Sequence, residues 1–198
     1  MGALLAGFAD PVLAAQATFR GVMDALARPG TIVPLIDTIA APAPLSAAAA
    51  AAALTLLDGD TPVWLDAPLA AQADVAAWLR FHTGAPIVSS PADAAFAIVA
   101  DPERLPPFES FAIGSLENPD CSATLILQVR SFDAGAPLAV AGPGIADRAI
   151  LRAAPLPNDF PARLVANRAM FPRGVDLLLV TGTAVAALPR SVTLLGEA

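Results

Sequence analysis

Arg80-Phe81-His82-Thr83-Gly84 brings a permanent cation, the single histidine of the chain and a hydroxyl together just before a glycine. An arginine fork suits phosphate or phosphonate oxygens, and a histidine beside it titrates near neutral pH. The cluster therefore has the parts to hold an oxyanion and to carry a proton. Its plainer reading is a helix carboxyl end, with Arg80 and His82 set against the dipole and Gly84 as the left-handed cap. Gly142-Pro143-Gly144 is a second candidate anion loop, but it lacks the spacing of a dinucleotide fingerprint and the lysine of a P-loop, so a turn is the plainer use. Arg173, in Phe171-Pro172-Arg173-Gly174, stands directly before an apolar run, placed either to bind a ligand or to pair with Asp176. Asp58-Gly59-Asp60 could offer two carboxylates to a hydrated magnesium ion, and reads more simply as a turn. Cys121 is expected to be a small buried hydrophobe.

What the composition omits narrows the chemistry further. All 11 basic residues are arginine and none is lysine, which excludes a Schiff-base lysine and a lysine-bound pyridoxal cofactor. One cysteine and one histidine cannot build a zinc site within one copy. A net charge of −7 opposes a nucleic-acid footprint. Hydrophobic types reach 56%, yet residues 38 to 57, the longest charge-free stretch, carry two prolines and an alanine run instead of the roughly 20 strongly apolar residues of a membrane span. The amino terminus lacks a basic region ahead of its short apolar stretch, and Asp10 and Arg20 come early, so neither membrane insertion nor secretion is expected, and the cytoplasm is the expected location.

The elements that must position these residues alternate along the chain. Val12, Ala15, Phe19, Val22, Met23 and Leu26 recur at helical spacing between Asp10-Pro11 and Pro29-Gly30. A short strand is expected over 31–36, and Ser46 caps an alanine-rich helix to about Leu57. Pro62 to Leu65 reads as a strand, Leu69 to Phe81 as one helix, and 86–88 as a strand. The runs Phe96–Val99, Thr124–Val129 and Val175–Val180 are continuously apolar, as expected of strands covered on both faces. Asn158 to Met170 makes another helix, with shorter strands at Leu138–Val140 and Val185–Leu188. The alternation predicts one α/β layered domain over residues 1–198.

Leu54-Thr55-Leu56-Leu57-Asp58, Thr61-Pro62-Val63-Trp64-Leu65, Arg80-Phe81-His82-Thr83, Ser122 to Val129, Gly142-Pro143-Gly144-Ile145-Ala146 and Phe171 to Leu177 occur in an order that resembles the PhnH family of the bacterial carbon-phosphorus lyase system. Gln16, Phe19-Arg20 and Pro29-Gly30 extend the similarity to the first helix, and Ala187-Leu188-Pro189-Arg190 to the carboxyl end. The departures are the alanine run and Ser191-Val192, where two threonines are more usual. The resemblance implies a three-layer α/β/α fold related to the pyridoxal-phosphate transferases but without the cofactor. It also implies partner subunits G, I and J, a functional link to subunit L, and a similar homodimer in isolation. The system makes ribose 1-alkylphosphonate 5-triphosphate from magnesium ATP and an alkylphosphonate, displacing adenine. No catalytic role is carried over to any residue. Two functions therefore stand: a structural subunit, or a chain whose Arg80, His82, Thr83, Arg173, Gly142 and Gly144 contribute anion binding or catalysis.

Overall fold

The computed structural model describes residues 5–35 and 39–196. Helix α1 (Pro11–Ala27) starts where Asp10 accepts the Leu13 amide, and leads to the short strand β1 (Val33–Pro34). The strand expected over 31–36 is thus cut to two residues, and Ile36 lies outside the described residues. Helix α2 (Ala47–Leu56) is capped by Ser46, as its sequence predicts. Then follow β2 (Val63–Leu65), α3 (Ala67–Ala70), α4 (Ala73–Thr83), β3 (Ile87–Val88), β4 (Phe96–Val99), β5 (Thr124–Gln128), β6 (Leu138–Ala141), β7 (Ala149–Leu151), α5 (Phe160–Ala169), β8 (Asp176–Val180), β9 (Ala184–Leu188) and β10 (Thr193–Leu194). The single helix expected over Leu69–Phe81 is two: Asp66 caps α3, the Gln72 amide closes back on the Leu69 carbonyl, and α4 starts afresh.

Seven strands form one sheet in the order β1-β9-β8-β5-β4-β2-β3. The pairs from β8 to β3 are parallel, while β9 runs antiparallel to both β8 and β1, so β9 alone is reversed. The protein is thus mixed α/β around a mostly parallel sheet. Successive side chains of a strand leave opposite faces, and the two cores separate accordingly. Ile98, Ile126 and Leu178 join α1, α2 and α4 on one face, whereas Val99, Leu125, Leu127, Leu177 and Leu179 join α5 on the other. The second face differs from a simple helical layer, because β10, β6 and β7 form a separate antiparallel sheet that contributes Leu138, Val140 and Leu151 to its core. In α2, Ala48 to Ala53 are all buried, so small side chains let this helix pack closely on its neighbours with little loss of side-chain entropy.

Helix α1 reverses the usual size order. Its buried positions are Ala14, Thr18, Gly21, Val22 and Ala25. The bulky residues face outward, with Val12 77%, Phe19 48% and Met23 46% exposed. Val12, Phe19 and Met23 are spaced so that they share one helical stripe. Helical spacing alone groups these residues with Val22 as one apolar face; the structure divides them between the core and the surface.

Candidate functional site

Arg80, His82, Thr83 and Arg173 lie at the amino edge of the parallel strands, because each precedes one, whereas Gly142 and Gly144 connect β6 to β7 in the separate antiparallel sheet. Arg80, His82 and Thr83 end α4 ahead of β3. Gly84 has φ 74° and its amide bonds the Arg80 carbonyl, so the segment is a helix cap in form. His82 Nε2 lies 3.0 Å from the Leu5 carbonyl oxygen, which also accepts the Trp78 indole N–H at 2.8 Å. The imidazole packs on Trp78 at 4.6 Å between centroids, so its ring fastens the segment before α1 to α4. Thr83 Oγ1 donates to the Leu79 carbonyl and accepts the Ala85 amide. Arg80 is exposed and makes no ion pair among the described residues.

Arg173 precedes β8, four strand positions from β3, or about 19 Å at the usual strand spacing. It therefore does not join the Arg80–His82 cluster. Nor does it pair with Asp176, whose carboxylate is held by Arg190 through its backbone amide and guanidinium. Arg190 also donates to the Pro119 carbonyl, fixing the loop before β5. The Nε of Arg173 is buried and has no hydrogen-bond partner among the described residues.

Gly142 and Gly144 have φ of 146° and 83° and are packed against protein. Gly144 lies against the carboxyl end of α1, where an added Cβ would collide with the Ala27 carbonyl oxygen. The Cα side of Gly144 is thus closed over the α1 backbone. Gly144→Ala combines left-handed strain with that collision and should cost at least about 2 kcal/mol, read from urea unfolding. In Asp58-Gly59-Asp60 the Asp58 side chain makes the turn bond, accepting the Asp60 amide at 3.0 Å. Among the described residues no group of three His, Cys, Asp or Glu side chains comes together. Cys121 is exposed, contrary to the buried position expected for it.

The opposite edge holds residues that no sequence motif singles out. Open α/β sheets bind ligands beyond the carboxyl ends of their strands, where neighbouring strands connect in opposite directions. Here that point falls between β2 and β4, and the buried carboxylate of Asp66 fills it. Asp66 accepts the Ala100 and Asp101 amides at 2.7 and 2.8 Å and the Leu69 amide at 3.3 Å. These are the amides an external anion would use. Burial pushes the Asp66 carboxyl above its ordinary range, with the amides pulling it back only in part.

Further along the same edge, Arg130 follows β5 and lines two clefts of about 420 Å³ each. One is walled by Leu138, Leu156 and Phe160, the other by Ser131, Thr181 and Thr183. The signal for both Asp66 and Arg130 was present in the sequence as position: each comes directly after a strand, or one residue beyond it.

A family model described as bacterial phosphonate metabolism protein (PhnH) matches residues 6–195. Alpha-D-ribose 1-methylphosphonate 5-triphosphate synthase subunit PhnH of Rhizobium meliloti (strain 1021) is 44% identical over 187 residues, covering 94% of this chain and 93% of the relative. A protein of Stutzerimonas stutzeri named "Putative C-P lyase subunit protein HtxG" is 33% identical over 177 residues, covering 89% of this chain and 83% of the relative.

Proposed function

The chain belongs to the bacterial phosphonate metabolism protein (PhnH) family, and on that premise we propose that it serves as a structural subunit of the carbon-phosphorus lyase assembly. In this reading it takes part in forming ribose 1-alkylphosphonate 5-triphosphate from magnesium ATP and an alkylphosphonate, without supplying the reacting groups. Its partners are subunits G, I and J, with L acting alongside. Alone it forms a homodimer, and the assembly works in the cytoplasm. Among the described residues no helix is long and apolar enough to cross a membrane.

The observation that carries the proposal is the outward stripe of α1. Val12, Phe19 and Met23 are bulky, apolar and exposed, and an apolar surface rich in aromatic and methionine side chains is what the centre of a protein interface requires. The dispersal of the candidate residues supports the same reading, since Arg80–Thr83, Arg173 and Gly142–Gly144 build no common site. A fold like the large domain of the pyridoxal-phosphate transferases is supported by the mostly parallel seven-stranded sheet with its single reversed strand. The chain has no lysine with which to hold that cofactor, and magnesium ATP enters as a substrate of the assembly.

Phe19→Asp/Met23→Asp places two charges on the stripe without touching the core. Co-expressed with subunits G and I, this double variant should lose at least tenfold in co-purification while keeping the wild-type melting temperature. Undiminished co-purification would sink the α1 interface. The catalytic alternative makes the opposite demand: Arg80→Gln/His82→Ala in an intact assembly would have to reduce synthase activity.

A further inference from the structure

We propose that the carboxyl edge of β5 carries a binding site for a small organic oxyanion, anchored by Arg130. Such a site does not depend on the chain being a structural subunit.

The backbone around Arg130 is fixed on both sides. The Arg130 amide donates to the Ala154 carbonyl at 2.7 Å, and the Ala154 amide returns a bond to the Ser131 carbonyl at 3.0 Å. The base of the side chain is therefore held in place before any ligand arrives, which lowers the ordering cost of binding. Six other arginines are engaged, Arg28, Arg104, Arg163 and Arg190 in ion pairs, Arg152 on the Gly135 carbonyl and Arg168 over the Phe171 ring, whereas Arg20, Arg80, Arg148 and Arg173 make no ion pair among the described residues and line neither cleft. The Arg130 guanidinium makes no hydrogen bond or ion pair among the described residues. Glu103 and Asp133 line the two clefts without reaching it within ion-pair distance.

The two clefts that meet at Arg130 differ in chemistry. Ser131, Thr181 and Thr183 offer hydroxyls on one side, and Leu138, Leu156 and Phe160 give an apolar wall on the other. An arginine between donors and an apolar wall fits a ligand with one acidic head and a short organic body. Two nearby carboxylates and a net charge of −7 select against a polyanion such as a triphosphate. The other backbone anion position on this edge, between β2 and β4, is already taken by Asp66.

The test is a titration of the full chain with methylphosphonate, butylphosphonate, inorganic phosphate and ATP, followed by amide chemical shifts and calorimetry. Methylphosphonate should bind with a dissociation constant of about 1 mM, with shifts centred on residues 130–133, 153–158 and 181–183. Butylphosphonate should bind more tightly, by about fourfold for each methylene that reaches the apolar wall, and ATP more weakly than either. Arg130→Gln should weaken binding at least tenfold while still co-purifying with partner subunits. Arg148→Gln, a change at an exposed arginine outside both clefts, should leave binding unaltered. The proposal is overturned if neither phosphonate binds, if the shifts fall elsewhere, if Arg130→Gln keeps wild-type affinity, if Arg148→Gln weakens binding equally, or if ATP binds most tightly. Loss of assembly with binding intact would instead count against the subunit reading alone.

Discussion

Asp66→Ala is expected to lower the unfolding free energy by about 4 kcal/mol. The carboxylate accepts three backbone amides, from Leu69, Ala100 and Asp101. Alanine would leave these donors without their partner and remove the cap of α3. The orphaned, partly buried Ala100 and Asp101 donors cost about 1–3 kcal/mol each, and the cap, which is the Leu69 bond, about 1 kcal/mol. The change should appear as a lower urea midpoint at unchanged slope. It should also carry a pH signature. Burial raises the folded-state carboxyl above its ordinary value of 3.8, so the folded chain holds that proton more tightly than the unfolded one. The contribution of such a group is fully present below 3.8 and declines as pH rises through the raised value. The stability gap between wild type and Asp66→Ala should therefore narrow as pH rises above 3.8 and level off once pH has passed the raised value. A gap that widens over that range would contradict the assigned direction.

Asn167→Ala is expected to cost about 3 kcal/mol. The buried amide of Asn167 imitates a strand partner at the start of β8, accepting the Val175 N–H and donating to the Val175 carbonyl, both at 2.9 Å. This pair ties the last turn of α5 to the central sheet. Alanine would strand one donor and one acceptor in the core and leave a void above Gly174, whose backbone approaches the Asn167 side chain closely. Asn167→Asp keeps the shape but cannot donate to the Val175 carbonyl, so it should also destabilise near neutral pH. Thermal melting of both variants checks this, and a melting temperature within 2 °C of wild type for Asn167→Ala would refute the role; a loss of about 3 kcal/mol corresponds to roughly 6–12 °C in a chain of this size.

The central strands were legible in the sequence because they are covered on both faces: Phe96–Val99, Thr124–Val129 and Val175–Val180 are largely apolar, broken only by Thr124, Gln128 and Asp176, and these became β4, β5 and β8. Strands β7 and β10 were not, being only two or three residues long and paired in a small sheet, although the Gly142-Pro143-Gly144 turn precedes β7. The break between α3 and α4 was hidden as well, since no glycine or proline marks it and a backbone carbonyl closes it. Helix α1 shows how bulk can mislead. Large apolar residues suggested the buried face, yet packing against α2 and β9 selects small ones there, leaving Phe19 and Met23 outside.

The candidate site was legible in residue type but not in place. Arg80, His82, Thr83 and Arg173 have the chemistry of an anion site, but they precede strands and so gather at the amino edge. Arg130 and Asp66 carry less conspicuous motifs and follow strands, which puts them on the edge where α/β sheets bind ligands. Reading each polar residue by whether it comes before or after a strand would have separated the two groups. The ion pair of Asp176 with Arg190, fourteen residues away, lay beyond any local pattern.

The central claim is that this chain acts by assembling with others. Its most direct test is a pull-down of the tagged chain from its native host, grown with an alkylphosphonate as the only phosphorus source, with the recovered proteins identified by mass spectrometry. Subunits G, I and J should be recovered in stoichiometric amounts. Recovery of the chain alone, with those subunits present in the lysate, would contradict the claim.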